Sequence, residues 1–258
     1  TIQRVEKLGA GWVLCGKSDS QNSTDTVLRS DEKDCLVLAI PSPQAAAMID
    51  PVCNWKPTAS QRPMQPTWAA IVEFEKSWEI PWDAIRFEDH PSLEWISRET
   101  SKPHRTQPNH SSRSPEVWII HANCRWSTEN IECSPEVAAE QLMQALADLG
   151  LDRIPGVIGL QGHRWRYAQR GSEDAQANLE PLVLWDPELL AGACGDWVCD
   201  SPDTGPMGRS SGIQRALESG AAMAGTILRH CISKFGSANP RENKKQAFQP
   251  MLFDDEAF

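Results

Sequence analysis

The stretch "GACGDW", Gly192 to Trp197, followed by a Pro/Gly-rich loop and then "GIQRALESGAAMAG", Gly212 to Gly225, narrows the possible folds more than any other feature. A strand of small residues lets another backbone or a ligand come close. An acid ends the strand, and a helix rich in Ala and Gly returns across the sheet. That is one strand and one helix of an α/β layer. In an open α/β sheet, an Asp at the carboxyl end of a strand stands where ligands bind, and its carboxylate accepts hydrogen bonds from sugar hydroxyls. The start of the helix near Gly212 carries unpaired amides and partial positive charge. Ala216, Gly220 and Gly225 would let the helix lie close to its neighbour. The same spacing also describes a small-residue helix packed on a sheet with no ligand, and periodicity does not separate the two.

The rest of the chain divides around this layer. "TIQRVEKLGAGWVLCG" reads as a hairpin turning at Gly9 to Gly11. "DCLVLAIP", Asp34 to Pro41, is a compact apolar run suited to a strand buried on both faces. "SPQAAAMI" then starts a short helix, with Ser42 as its cap and Pro43 in its first turn. Trp68 to Glu75 and Val117 to Asn123 predict strands of a second, largely antiparallel sheet. "SPEVAAEQLMQALADLG" is the clearest helix: Ser134 caps it, Ala138, Leu142, Ala145 and Leu149 mark one face, and Gly150 ends it. Leu182 to Trp185 and Leu190 to Cys194 read as strands returning to the first layer. The organisation expected is residues 1–50 and 182–233 in one α/β domain, 51–181 in an α+β domain, and a flexible tail over 234–258.

Composition removes several classes of function. With 258 residues, 40% of them hydrophobic, the chain can bury one large core or two modest ones. A net charge of −10 argues against nucleic acid or an anionic membrane surface as partner, and no apolar run approaches the length of a membrane span. The eight Cys include no C-x-x-C pair, so no structural metal site is expected. Reduced thiols in a cytoplasmic compartment are the expectation. The chain opens at Thr1 directly in patterned sequence, which reads as a start lying further upstream.

Three further stretches carry candidate chemistry. In "GHRWRYA", Gly162 to Ala168, alternation puts His163, Trp165 and Tyr167 on one strand face and Arg164 and Arg166 on the other. The aromatic face could wall a flat ring, but periodicity alone favours an ordinary half-buried strand with solvated arginines. The loop "SRETSKPHRTQPNHSSRSP", Ser97 to Pro115, gathers Arg98, Lys102, His104, Arg105, His110 and Arg113, which suits phosphate recognition or a plain solvated loop. "GRSSG", Gly208 to Gly212, fits the G-x-S-x-G elbow of serine hydrolases. No strand runs into Ser210, however, and the acid and His that should follow it share one helix, so this reading is set aside.

Taken together, "GHRWRYA", "LWDPELLAGACGDW" and "GIQRALESGAAMAG" resemble the renalase-like branch of the flavin-dependent amine oxidase superfamily. "CLVLAIPSPQAAAMI", "SLEWISRETSKP" and "VWIIHANCRWSTENIE" agree in order and spacing. The resemblance implies an α/β fold, with a Rossmann-like FAD-binding domain and an antiparallel-sheet substrate domain. It implies FAD contacts at Ile2, Ala39, Ile40, Pro41, Gly195, Asp196, Trp197, Gly212 and Ile213. Trp165 and Tyr167 would act at the flavin ring, with His163, Lys102 and Arg105 binding substrate. The family's N-terminal G-x-G-x-x-G strand-turn-helix, whose amides cradle the pyrophosphate, has no counterpart here, so the FAD domain is incomplete. "GRSSGIQRALESG" also lacks the more usual acidic-glycine helix start.

The activity implied is FAD-dependent hydride transfer from a small-molecule substrate, a dihydropyridine nucleotide such as NAD(P)H or an isomer, or an amine, with oxygen as the final acceptor. The protein's part would be positioning and charge stabilisation. The missing glycine turn favours a reading of another class: a cofactor-free binding module that keeps the substrate domain and has lost catalysis.

Overall fold

A computed structural model describes residues 2–16, 26–32, 34–50, 53–103, 105, 114–151, 153–170, 182–198 and 212–235. The chain first builds β1 (Ile2–Leu8), β2 (Gly11–Gly16), β3 (Thr26–Arg29), β4 (Leu36–Leu38), α1 (Ser42–Met48), β5 (Ile49–Asp50) and α2 (Lys56–Ser60). It then forms β6 (Met64–Phe74), β7 (Ala84–Arg86), β8 (Leu93–Arg98), β9 (Glu116–Ala122), α3 (Cys124–Glu129), α4 (Pro135–Ala147) and β10 (Val157–Arg170). Finally β11 (Leu184–Asp186), β12 (Ala191–Ala193) and α5 (Gly212–Phe235) return to the first group. The result is an α/β layer joined to an antiparallel sheet.

The first unit holds two small sheets over one core. One has the order β3-β2-β1-β5, and the other β11-β12-β4, with β12 and β4 parallel. The hairpin turns at Gly9, whose φ of 62° suits glycine. Val5, Trp12, Leu38, Ala45, Ile49, Trp55, Leu184, Ala193 and Trp197 fill the core between the sheets. Gly192 lets α5 settle on β12: a methyl there would stand 2.6 Å from Met223 Cε and 2.7 Å from the Leu184 carbonyl oxygen.

The second unit is a five-stranded antiparallel sheet, order β10-β6-β9-β8-β7. One face packs on α4 through Trp68, Ala70, Val72, Phe74, Trp118, Ile120, Ala138, Leu142 and Leu146. Ser134 caps α4 by accepting from the Val137 amide at 3.3 Å, and Gly150 follows the helix at φ 65°. Many of the tryptophans are core residues: Trp12, Trp55, Trp68, Trp78, Trp118 and Trp197 are buried, whereas Trp95 and Trp165 are not.

Four sequence expectations change. Pro41, not Ser42, occupies the cap of α1; Ser42 is fully buried and donates its hydroxyl to the Arg62 carbonyl at 2.6 Å. The Asp34 to Pro41 run shortens to three strand residues, of which Leu36 and Val37 are only half-buried, and among the described residues β4 ends its sheet. In α5, an added methyl at Gly220 would meet nothing within 4 Å, so the close approach depends on Gly192, with Ser219 and Met223 buried on the helix face. Arg98 belongs to β8 and is anchored on Asp83 at 3.4 Å and Glu116 at 3.2 Å. His104, His110, Arg113, Ser210 and the tail beyond Phe235 lie outside the described residues. Among the described residues, no helix is long and apolar enough to cross a membrane, and no group of three or more metal-ligating side chains occurs.

Candidate functional site

Two features face outward from these units. The first is a rim at the carboxyl ends of β4 and β12. The two strands run parallel with Leu38 opposite Ala193, and the Cys194 amide donates to the Leu38 carbonyl at 3.2 Å, so Ala39 and Gly195 emerge side by side. Gly195 has φ 149°, in the region open to glycine. Its amide donates to Ser219 Oγ at 3.1 Å, and that hydroxyl donates to the Leu182 carbonyl at 2.6 Å. This fixes the turn against α5. Asp196 follows, half-buried, with Oδ2 3.3 Å from where a methyl on Gly212 would lie. The carboxylate therefore stands against the first residue of a 24-residue helix.

Trp197 is 1% exposed and donates its indole N–H to the Ile40 carbonyl at 2.9 Å. Its ring belongs to the core and ties the Ala39–Pro41 segment to the rim. Ile213 is exposed at the helix start. Ile2 lies apart from these residues, in the other sheet, paired with Gly16. Arg62 is a contributor that the sequence reading missed: its buried guanidinium donates to the Trp197 and Val198 carbonyls at 2.8 and 2.7 Å. Ser219 was missed as well. The only signal for it is a polar residue four positions before Met223, on the buried stripe of α5.

The second feature is the face of the antiparallel sheet opposite α4. The register aligns His163 with Ala69, Ala69 with His121, His121 with Trp95, and Trp95 with Arg86, one residue from each of the five strands. Small Ala69 leaves a dip between two imidazoles. Trp165 pairs with Thr67 in the next row, and its ring centroid lies 4.4 Å from that of His163. Trp165 is 48% exposed and Tyr167 38%, so the aromatic face is open. Arg164 and Arg166 take the opposite side, on the Ile131 carbonyl and Glu132.

His163 Nε2 is buried with no hydrogen-bond partner among the described residues. Such an atom costs stability unless something pairs with it. Lys102 and Arg105 both form ion pairs with Glu99, which is 9% exposed. His121 was not anticipated, although alternation with buried Trp118 and Ile120 places it on this face. Burial, then the positive charge of Lys102, holds its imidazole below the usual range, against the opposing pull of Glu99.

Because its pKa is depressed by folding, His121 contributes stability that is present above the unfolded value of about 6.5. That contribution is lost as pH falls toward the folded value. We expect Lys102→Met to raise the His121 pKa, read from the imidazole proton shifts in an NMR titration. An unmoved titration would mean that burial alone sets it.

No family model matches the chain. Its fold matches solved structures of oxidases. One, provisionally assigned as a protoporphyrinogen oxidase from Exiguobacterium sp., aligns at TM-score 0.53 and 13% identity, covering 88% of this chain and 46% of the other. Cyclohexylamine oxidase from Brevibacterium oxydans aligns at TM-score 0.51 and 15% identity, covering 89% and 48%. A variant of putrescine oxidase, from work on redesigned cofactor binding, aligns at TM-score 0.51 and 10% identity over the same shares. This chain shares the fold of these oxidases and spans about half their length.

Proposed function

We propose that this chain belongs to an FAD-dependent oxidoreductase of the renalase-like kind. The observation that carries the reading is the rim, where Asp196 stands against Gly212 at the ends of two parallel strands. These residues fit the sugar hydroxyls of a dinucleotide: a carboxylate acceptor, a glycine-lined approach and a helix start. Among the described residues β4 is an edge strand, and α5 exposes Ile213, Leu217, Leu228 and Ile232 on one side.

When bound, the flavin supplies the hydride acceptor. Asp196 would hold hydroxyls, and the α5 start would favour negative charge beside it. The aromatic face of β10 would orient a flat substrate ring, with His163 Nε2 free to pair with it. Arg86 lies in the row of His163 and His121, and Lys102 and Arg105 gather around Glu99, which favours a substrate bearing an anionic group over an ammonium ion. A dihydropyridine nucleotide has that character and needs no strong base. An amine would require deprotonation first.

The test titrates the purified chain with FAD and reads the change in flavin absorbance. Saturable binding is expected, and Asp196→Ala should weaken it by about 1–3 kcal/mol. An unchanged Kd in that variant would remove Asp196 from the site. No binding by the unaltered chain would overturn the proposal in favour of a cofactor-free binding module.

A further inference from the structure

The side of α5 that faces away from β12 carries a pattern of its own. Ser219 and Met223 are buried on the sheet side, with Met223 beside Gly192. About half a turn around the helix run Ile213, Leu217, Ala221, Ala224, Leu228 and Ile232, all of them exposed. At 3.6 residues per turn these six fall within an arc of about 100°. Ile213 and Leu217 are 76% and 70% exposed, so the strip is a continuous apolar surface and not a set of scattered side chains. The spacings along it are four, four, three, four and four, and the residues run Ile, Leu, Ala, Ala, Leu, Ile. Both series read the same in either direction, about a midpoint between Ala222 and Met223. Glu218 and Arg229 border one edge of the strip, on either side of that midpoint.

We propose that this strip is a homodimer interface, in which α5 packs antiparallel on α5 of a second copy across a twofold axis at the midpoint. A twofold contact sets each residue against its symmetry counterpart. Ile213 then meets Ile232 of the second copy, Leu217 meets Leu228, and Ala221 meets Ala224. Small Ala at the centre lets the two backbones approach, while Leu and Ile interdigitate toward the ends. The central four-three-four spacing is that of a coiled-coil seam. In an antiparallel pair like edges meet, so Glu218 of each copy lies toward Arg229 of the other, and the charges complement each other twice. A parallel pair would leave both charges unmatched and would align the two helix dipoles. A single helix pair is a small interface, so a Kd on the order of 10 μM is expected. The interface goes beyond the flavin reading, and its experiment needs no cofactor.

The test is sedimentation equilibrium of the purified chain without FAD, loaded from about 1 to about 100 μM, which should show monomer passing to dimer. Leu217→Glu and Leu228→Arg should each raise the Kd by at least about 100-fold, because the axis places the added charge in the strip twice. Leu217→Glu combined with Leu228→Arg should recover most of the dimer, since each new carboxylate then faces a guanidinium of the second copy. The concentration series on the unaltered chain stands even if a variant folds poorly. A chain that is monomeric at every concentration would overturn the proposal and assign the strip to another segment of the chain or to a different protein. A dimer that neither single substitution weakens would overturn it as well, and so would a folded double variant that stays monomeric.

Discussion

Gly162→Ala is expected to destabilise the chain by about 3 kcal/mol, lowering Tm by roughly 6–12 °C in a thermal melt. The added methyl would lie 2.0 Å from the Pro135 carbonyl oxygen, 2.7 Å from its carbon and 3.0 Å from its Cα. All three are backbone atoms at the first turn of α4, so relief requires the whole helix to move from the sheet. His163 and Trp165 follow directly on the same strand, so the aromatic face should be disturbed along with stability. Gly220→Ala is the internal control: its methyl meets nothing within 4 Å, and in a helix interior the change should stabilise by about 0.4–1 kcal/mol. A Gly162→Ala protein melting within the error of the parent would show that α4 is not seated where the structure puts it.

The second large effect is expected at Glu116. This buried carboxylate accepts from Ser77 Oγ at 2.9 Å, the Trp78 amide at 2.9 Å and the Trp118 indole at 2.7 Å, and pairs with Arg98 at 3.2 Å. Glu116→Ala leaves buried donors and part of a guanidinium without their acceptor, at a cost of about 3–5 kcal/mol. Glu116→Gln keeps one acceptor oxygen and should retain much of that stability. Equal losses in the two variants, measured by chemical denaturation, would show that the negative charge matters more than the hydrogen-bond geometry. Two near-neutral variants would show that the network contributes little.

What the sequence disclosed follows from how local each signal is. α4 was legible because Ser134, Pro135, Gly150 and the apolar stripe all act within one helix. The β1–β2 hairpin was legible from a glycine turn between short apolar runs, and the faces of β10 from simple alternation. The role of Ser42 was misread because its hydroxyl is taken by a carbonyl 20 positions away. Arg98 was misread for a similar reason, since its partners Asp83 and Glu116 lie 15 and 18 positions away. At the rim, Gly195, Asp196 and the start of α5 could be singled out from type and order. Arg62 and Ser219 could not, because their value lies in carbonyls and an amide supplied by distant segments. His121 needed the strand register to bring it into line with His163.

The pairing of β4 with β12 also sets an order of events during synthesis. Residues 64 to 170 hold every strand of the antiparallel sheet in one continuous piece, so that piece can condense as soon as it clears the ribosome. The parallel pair must wait for residue 193, while Leu36 to Leu38, made far earlier, stays without its neighbour. Distant pairing of this kind is slow and leaves an unprotected strand in the interval. The middle of the polypeptide therefore matures before its beginning, and the rim that bears Asp196 is among the last surfaces to exist.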